Sequence, residues 1–146
     1  MLGRTHLAAA VFLAVLFFSI YSYDSITNVF LLFLFVIGSL FPDVDSARSI
    51  LGRKIKIISF IFKHRGFFHS IFALVLFSLL LGLLFKPIAG IVFASGFTLH
   101  IVMDAITKEG IHILGFKIQG PIKVGSITEH VFYLVLLVAS LIFMII

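Results

Sequence analysis

The residues in this chain that could do chemistry are imidazoles and carboxylates set at short, regular spacings. His100 and Asp104 are four residues apart inside an apolar run, so a helix there stacks them on one face. In Phe41-Pro42-Asp43-Val44-Asp45 two carboxylates are two residues apart, and an extended segment points both to the same side. Like charges that close raise each other's pKa unless a cation lies between them. His64-Arg65-Gly66-Phe67-Phe68-His69 separates two histidines by five, a poor fit to one helix face. The spacing predicts His64 in a loop and His69 in the first turn of a helix, with Gly66 bending the chain between them. His6 stands alone where the first apolar run begins. The chain has no cysteine, so a metal would be held by nitrogen and oxygen donors. That set suits zinc, with manganese or iron as alternatives. Seven or eight donors exceed the four of a tetrahedral zinc, and two or three ions fit the count better.

Each pattern also has a plain structural reading. The His100–Asp104 pair could close a helix end by a hydrogen bond, and Asp45 could cap the basic segment that follows it. His6 alone is an ordinary interfacial histidine. Ser126-Ile127-Thr128-Glu129 reads as a capping box, which would account for Glu129 without a metal. Arg65 could make a bidentate contact to phosphate or simply charge the membrane surface. His130 points about 100° around the helix from Glu129, and His112 and Glu109 fall in a glycine-rich loop as solvated groups.

The elements that must position these groups are apolar. Of 146 residues, 62% are hydrophobic and 17 are charged, 11 basic and 6 acidic. A soluble domain carries about 25% charged residues, so a soluble enzyme, a disordered tail and a nucleic-acid-binding module are excluded as the main reading. The sequence predicts an all-α integral membrane bundle forming a single domain over residues 1–146. Five stretches lack charge: Leu7–Tyr23, Ser25–Pro42, Ser70–Phe85, Pro87–Met103 and Val131–Ile146, each of 16 to 18 residues. These are five short spanning helices, at the lower limit of the roughly 17–25 residues usual for a span. Arg4 precedes the first run, but no small-residue cleavage site follows it, so a retained helix is expected. Arg48–Lys63 interleaves Leu51, Ile55, Ile58 and Phe62 with basic residues, as an interfacial helix among anionic headgroups would. Gly90, Ala94 and Thr98 form a stripe for a close helix neighbour, while Gly96 leaves space beneath His100. Glycines at 110, 115, 120 and 125 between β-branched runs predict a hairpin-like flap in the cytoplasmic loop.

Threading five spans puts ten of the eleven basic residues, all but Lys86, on one face. By the positive-inside rule that face is cytoplasmic, with the N-terminus inside and the C-terminus outside. All six histidines and five of the six acids share it; Asp24 alone is opposite. The rule makes no demand on histidines or acids, so their bias points to a site.

Thr5-His6, the Pro42-Asp43-Val44-Asp45 segment, His64-Arg65-Gly66-Phe67-Phe68-His69-Ser70, and Leu99-His100 with Asp104-Ala105-Ile106-Thr107 resemble the YdjM-like inner-membrane metal-dependent hydrolases. The likeness covers nearly the whole chain. That family is distantly similar to zinc-dependent phospholipase C and single-strand nucleases, helical proteins that hold zinc clusters. The resemblance implies His6, Asp43, Asp45, His64, His69, His100, Asp104 and Glu129 as metal ligands; His112 and His130 are not carried over. The resulting expectation is an inner-membrane hydrolase acting on a phosphoester, a phospholipid by its location, at the cytoplasmic surface. Asp43 or Asp45 would bridge metals or orient water, and Arg65 would contact phosphate. The alternative is a divalent-cation transporter or a metal-binding scaffold. Transport usually places polar residues near the bilayer midplane, and the middles of the five apolar runs carry no charge and no proline. The bilayer is the expected partner, nucleic acid is not, and the patterns leave oligomeric state open.

Cysteine-accessibility labelling should place positions near Ser49 and Lys117 inside and the C-terminus outside. Labelling of both loops from the outer face would overturn the orientation.

Overall fold

A computed structural model describes residues 1–20, 24–47, 49–62, 65–113 and 116–145. It is mostly helical: α1 (Gly3–Ile20), α2 (Ser25–Leu40), α3 (Lys56–Ile61), α4 (Ile71–Leu84), α5 (Pro87–Ala105) and α6 (Ile127–Ile145), with two short 3₁₀ turns, Pro42–Asp45 and Phe67–His69. Each of the five apolar stretches forms a helix, and local chemistry sets where most of them start. Asp24 caps α2 by accepting from the Thr27 N–H at 3.0 Å. Ser70 caps α4, its hydroxyl accepting from the Ala73 N–H at 3.3 Å. Pro87 is the first residue of α5, where a missing N–H costs nothing. α5 and α6 have 19 residues each, with mean hydropathy 1.6 and 2.0, long and apolar enough to cross a membrane. The apolar parts of the other three, Gly3–Phe17, Ser25–Leu40 and Ile71–Leu84, are shorter, so five full spans exceed what length and composition establish.

Two expectations need correction. The fold is not purely α: β1 (Ile111–Ile113) and β2 (Phe116–Ile118) pair antiparallel, with His112 opposite Lys117. Gly110, at φ 65°, turns the chain out of α5 into this β-branched run, as a residue free to adopt positive φ can. The basic segment is not one helix from Arg48 to Lys63 either; of its described residues only Lys56–Ile61 is α-helical. Ser49 breaks it, because its hydroxyl donates to the Asp43 carbonyl at 2.6 Å and accepts from the Gly52 N–H at 2.8 Å. Gly52 then packs where a Cβ would overlap the Ser46 carbonyl. The short helix that remains exposes Ile57, Phe60 and Ile61.

The packing centres on α5, which lies against α2 on one side and α4 on another. Gly38 of α2 sits against the Phe93 carbonyl, and Gly96 of α5 against the Phe35 carbonyl; a methyl group at either would overlap a carbonyl oxygen. Gly96 therefore does not leave space beneath His100, as the sequence suggested, but admits the α2 backbone. Gly90 does serve a close neighbour, meeting the Ser78 carbonyl of α4. Phe41, at the end of α2, packs on Phe77, Phe93 and Phe68 with ring centroids 4.6, 5.4 and 5.8 Å away. That aromatic cluster holds both 3₁₀ turns over the end of α5. α6 packs along α1, where Ala8, Ala9, Met103 and Leu136 are buried together.

Gly96→Ala should cost about 1–3 kcal/mol through overpacking. Gly82→Ala is the contrast: its Cβ would meet neighbours at an ordinary 3.7 Å, and an Ala in a helix gains about 0.5–1 kcal/mol over Gly. Thermal unfolding in detergent measures both, and equal midpoints for the two variants would show that the α2–α5 crossing is not as tight as described.

Candidate metal centre

His100 is fully buried on α5, and its Nδ1 lies 2.7 Å from the Ser39 carbonyl oxygen. A carbonyl can only accept, so Nδ1 carries the proton and Nε2 carries the lone pair. That Nε2 is buried and has no hydrogen-bond partner among the described residues. It faces two carboxylates, Asp43 Oδ1 and Asp104 Oδ2, each at 3.8 Å. The tautomer needed for a metal ligand is thus set by a backbone group on the neighbouring helix.

Asp104 is the hub. Its Oδ1 pairs with the Met1 α-amino group and lies 3.3 Å from His6 Nε2. Its Oδ2 is 3.3 Å from Arg65 Nη2 and 3.8 Å from His69 Nε2. The His6 ring stacks on His100 with centroids 3.9 Å apart and planes within 8°. His69 approaches His100 edge-on at 5.3 Å. Two groups have donor atoms within 4.8 Å of one another: His6, His100 and Asp104, and Asp43, His69 and His100. They share His100, whose single available nitrogen can serve one ion.

Asp45 lies behind this cluster. Its Oδ2 is 3.3 Å from His69 Nδ1 and accepts from the Arg65 N–H at 3.1 Å. It does not cap a helix: the segment after it is the Ser49 turn, and α3 begins at Lys56. A carboxylate on Nδ1 fixes that proton and turns Nε2 toward Asp104, an arrangement usual for metal-binding histidines. Arg65 has φ 63°, uncommon for a residue with a side chain. This bend brings its N–H to Asp45 while its guanidinium reaches Asp104, so the side chain turns into the site and stays partly accessible.

Glu129 is buried but does not join either group. Its carboxylate accepts from the Leu2 N–H at 2.7 Å and the Gly125 N–H at 2.6 Å, and its own N–H reaches Ser126 Oγ at 3.4 Å. It ties the start of α1 to the start of α6, and thereby holds His6 and Met1 in place. His130 receives Arg4 at 2.7 Å on the exposed side, and His112 is exposed on β1. His64 lies outside the described residues. The Ser39 carbonyl and the Met1 amine were not foreseen. Ser39 was visible as a hydroxyl residue near the end of an apolar run, but the group that matters is its backbone oxygen, which no side-chain pattern reports.

The family described as YdjM inner membrane protein matches residues 1–145. The chain belongs to that family. No curated protein and no solved structure matches the chain. Family membership and the two long apolar helices make this a membrane protein, and the buried His/Asp groups are able to hold a metal ion.

His100→Ala or Asp104→Ala should strip metal from purified protein, whereas His112→Ala should not; unchanged stoichiometry in the first two would remove the centre. Asp45→Asn keeps an oxygen acceptor but loses the charge behind His69. Its metal affinity, read by competition with a chelator, should fall about 10–100-fold.

Proposed function

We propose that this member of the YdjM family is a metal-dependent hydrolase of phosphoesters, with a lipid phosphoester as substrate, working at the cytoplasmic headgroup level of the inner membrane. The observation that carries this reading is the buried His100 Nε2 lone pair, held in one tautomer and aimed between Asp43 and Asp104. On this reading all five long helices cross the membrane. α2, at 16 residues, spans about 24 Å, short of a core of about 30 Å, so the bilayer would thin around it to keep the attached Asp43 at headgroup depth.

The donor set fits a divalent cation: three imidazoles and two carboxylates, no thiolate, in a buried pocket. Zinc suits these donors best, with manganese or iron as alternatives. The two groups share His100, so one ion would take it as a third donor and a second would rest on the two donors left, with Asp104 turning one oxygen to His6 and the other to His69. A bound divalent ion supplies Lewis acidity, polarising a phosphoryl oxygen and acidifying water.

The protein's own groups do the rest. Asp43 is the most exposed carboxylate of the cluster, its side chain 13% accessible against 3% for Asp104. It is the group placed to meet an incoming water and take its proton. Asp45 holds His69, and Ser39 holds His100, so neither ring must reorganise during the reaction. Arg65 neutralises Asp104 and remains 22% accessible, leaving its outer edge for a phosphate oxygen. A transport role lacks comparable support, because the donors gather at one end of the helices.

The test is the metal content of purified protein followed by release of phosphate-containing headgroups from defined liposomes. Release should stop on chelation, return with zinc, and fall at least about 100-fold in Asp43→Asn, the scale of losing a general base. Metal-loaded protein that cleaves no phosphoester lipid would overturn the reading.

A further inference from the structure

We infer that the apolar cavity between α1, α2 and α5 seats one acyl chain of the lipid whose phosphoester meets the metal centre. The headgroup part rests on the proposed function; the cavity rests on geometry. It has a volume of about 340 Å³, within the range of pre-formed ligand sites. Its walls include Ala14 and Phe17 of α1, Leu31 and Phe35 of α2, and Val92 and Ser95 of α5. The one hydroxyl is already used: Ser95 Oγ donates to the Ile91 carbonyl at 2.9 Å.

An apolar cavity of this kind does not retain water, and left empty it forfeits the dispersion contacts of its lining. In a bilayer the surrounding medium is hydrocarbon, so a lipid chain is the occupant able to restore those contacts. No hydrophobic driving force separates protein from lipid tails there; the gain is in packing alone.

Its position connects it to the metal centre. Ala14 is eight residues beyond His6 on α1, Phe35 eight before Asp43, and Val92 eight before His100. Ser95 is five residues before His100, Phe17 eleven beyond His6 and Leu31 twelve before Asp43, so at about 1.5 Å per residue the cavity runs from about 8 to about 18 Å below the donors. That range begins in the same leaflet and ends near the bilayer centre, about 15 Å down, half of the core. A lipid with its phosphoester at Asp43 would carry its chains to this level.

The chain contains no tryptophan, so a single introduced one reports locally. Phe17→Trp places it at the cavity, and Phe143→Trp places it on α6. The native residues are matched in exposure, at 40% and 41%, and lie about 21 Å and about 24 Å along their helices from Gly3 and Ile127. Zinc-loaded variants are reconstituted in digalactosyldiacylglycerol bilayers, which contain no phosphoester, and titrated with phosphatidylglycerol brominated in its acyl chains.

Quenching of Phe17→Trp should reach half its maximum at a several-fold lower mole fraction than quenching of Phe143→Trp. The preference should disappear on chelation of zinc and in Phe17→Trp carrying Ala14→Phe, which fills the cavity. Coincident curves for the two reporters would overturn the inference, as would a preference that survives chelation. Failure of the hydrolase reading shows separately, as absent metal or absent headgroup release, since quenching requires no turnover.

Discussion

The contact between the α2 and α5 backbones is the constraint on which the rest depends. Two glycines, Gly38 and Gly96, each admit a carbonyl of the opposite helix, and this closeness brings the Ser39 carbonyl to His100 Nδ1 at 2.7 Å. That one hydrogen bond selects the imidazole tautomer, fixes the ring plane and leaves Nε2 as a donor atom. In an apolar medium neither partner can turn to water instead, so the bond is held by the cost of breaking it. The same crossing carries Phe41 into its aromatic cluster, which settles the turn bearing Asp43 and Asp45. A methyl at Gly96 would therefore act on the His/Asp cluster without touching it.

Burying this many titratable groups needs compensation. Asp104 has its charge answered by the Met1 amine and Arg65, while His6 and His69 each bring an imidazole nitrogen to it. Losing one partner of a buried ion pair typically costs about 3–5 kcal/mol, so the cluster is fragile toward truncation at its centre. Asp45 uses its charge differently, on a histidine proton and a backbone N–H. The two carboxylates thus have separate duties: Asp104 balances charge within the cluster, while Asp45 orients a ring.

Much of the centre was legible in the sequence. His100 and Asp104 at a spacing of four are a pattern in which helix geometry alone brings groups to one place. The five apolar runs became helices for the same reason. His69, by contrast, lies on the 3₁₀ turn Phe67–His69 ahead of α4 rather than in its first turn, and the left-handed bend before it is at Arg65 rather than Gly66. What could not be read was whatever depends on backbone atoms or on distant elements. Asp43 and Asp45 do share a neighbourhood, but on a 3₁₀ turn rather than an extended strand, so one faces His100 and the other faces the far side of His69. Gly96 looked like room for a site because periodicity reports which face a residue occupies and not what arrives there. The basic stretch after Asp45 had a helical pattern that Ser49 and Gly52 broke through hydrogen bonds no pattern records.

Glu129 shows how a cap and a site can share one residue. Its carboxylate does close the start of α6, at Gly125 rather than at Ser126. The same carboxylate also takes the Leu2 N–H, and so reaches across to the first residues of α1. Those residues carry His6, whose ring lies flat on His100, and the amine that pairs with Asp104. α1 is joined to α6 by Ala8 and Ala9 packed with Leu136 and by the Phe12–Phe143 ring contact at 6.1 Å. The Glu129 bond adds a polar tie at the end that carries the donors. A carboxylate that contributes no donor atom to either group can in this way decide whether the His6, His100 and Asp104 donors stand close enough to share an ion.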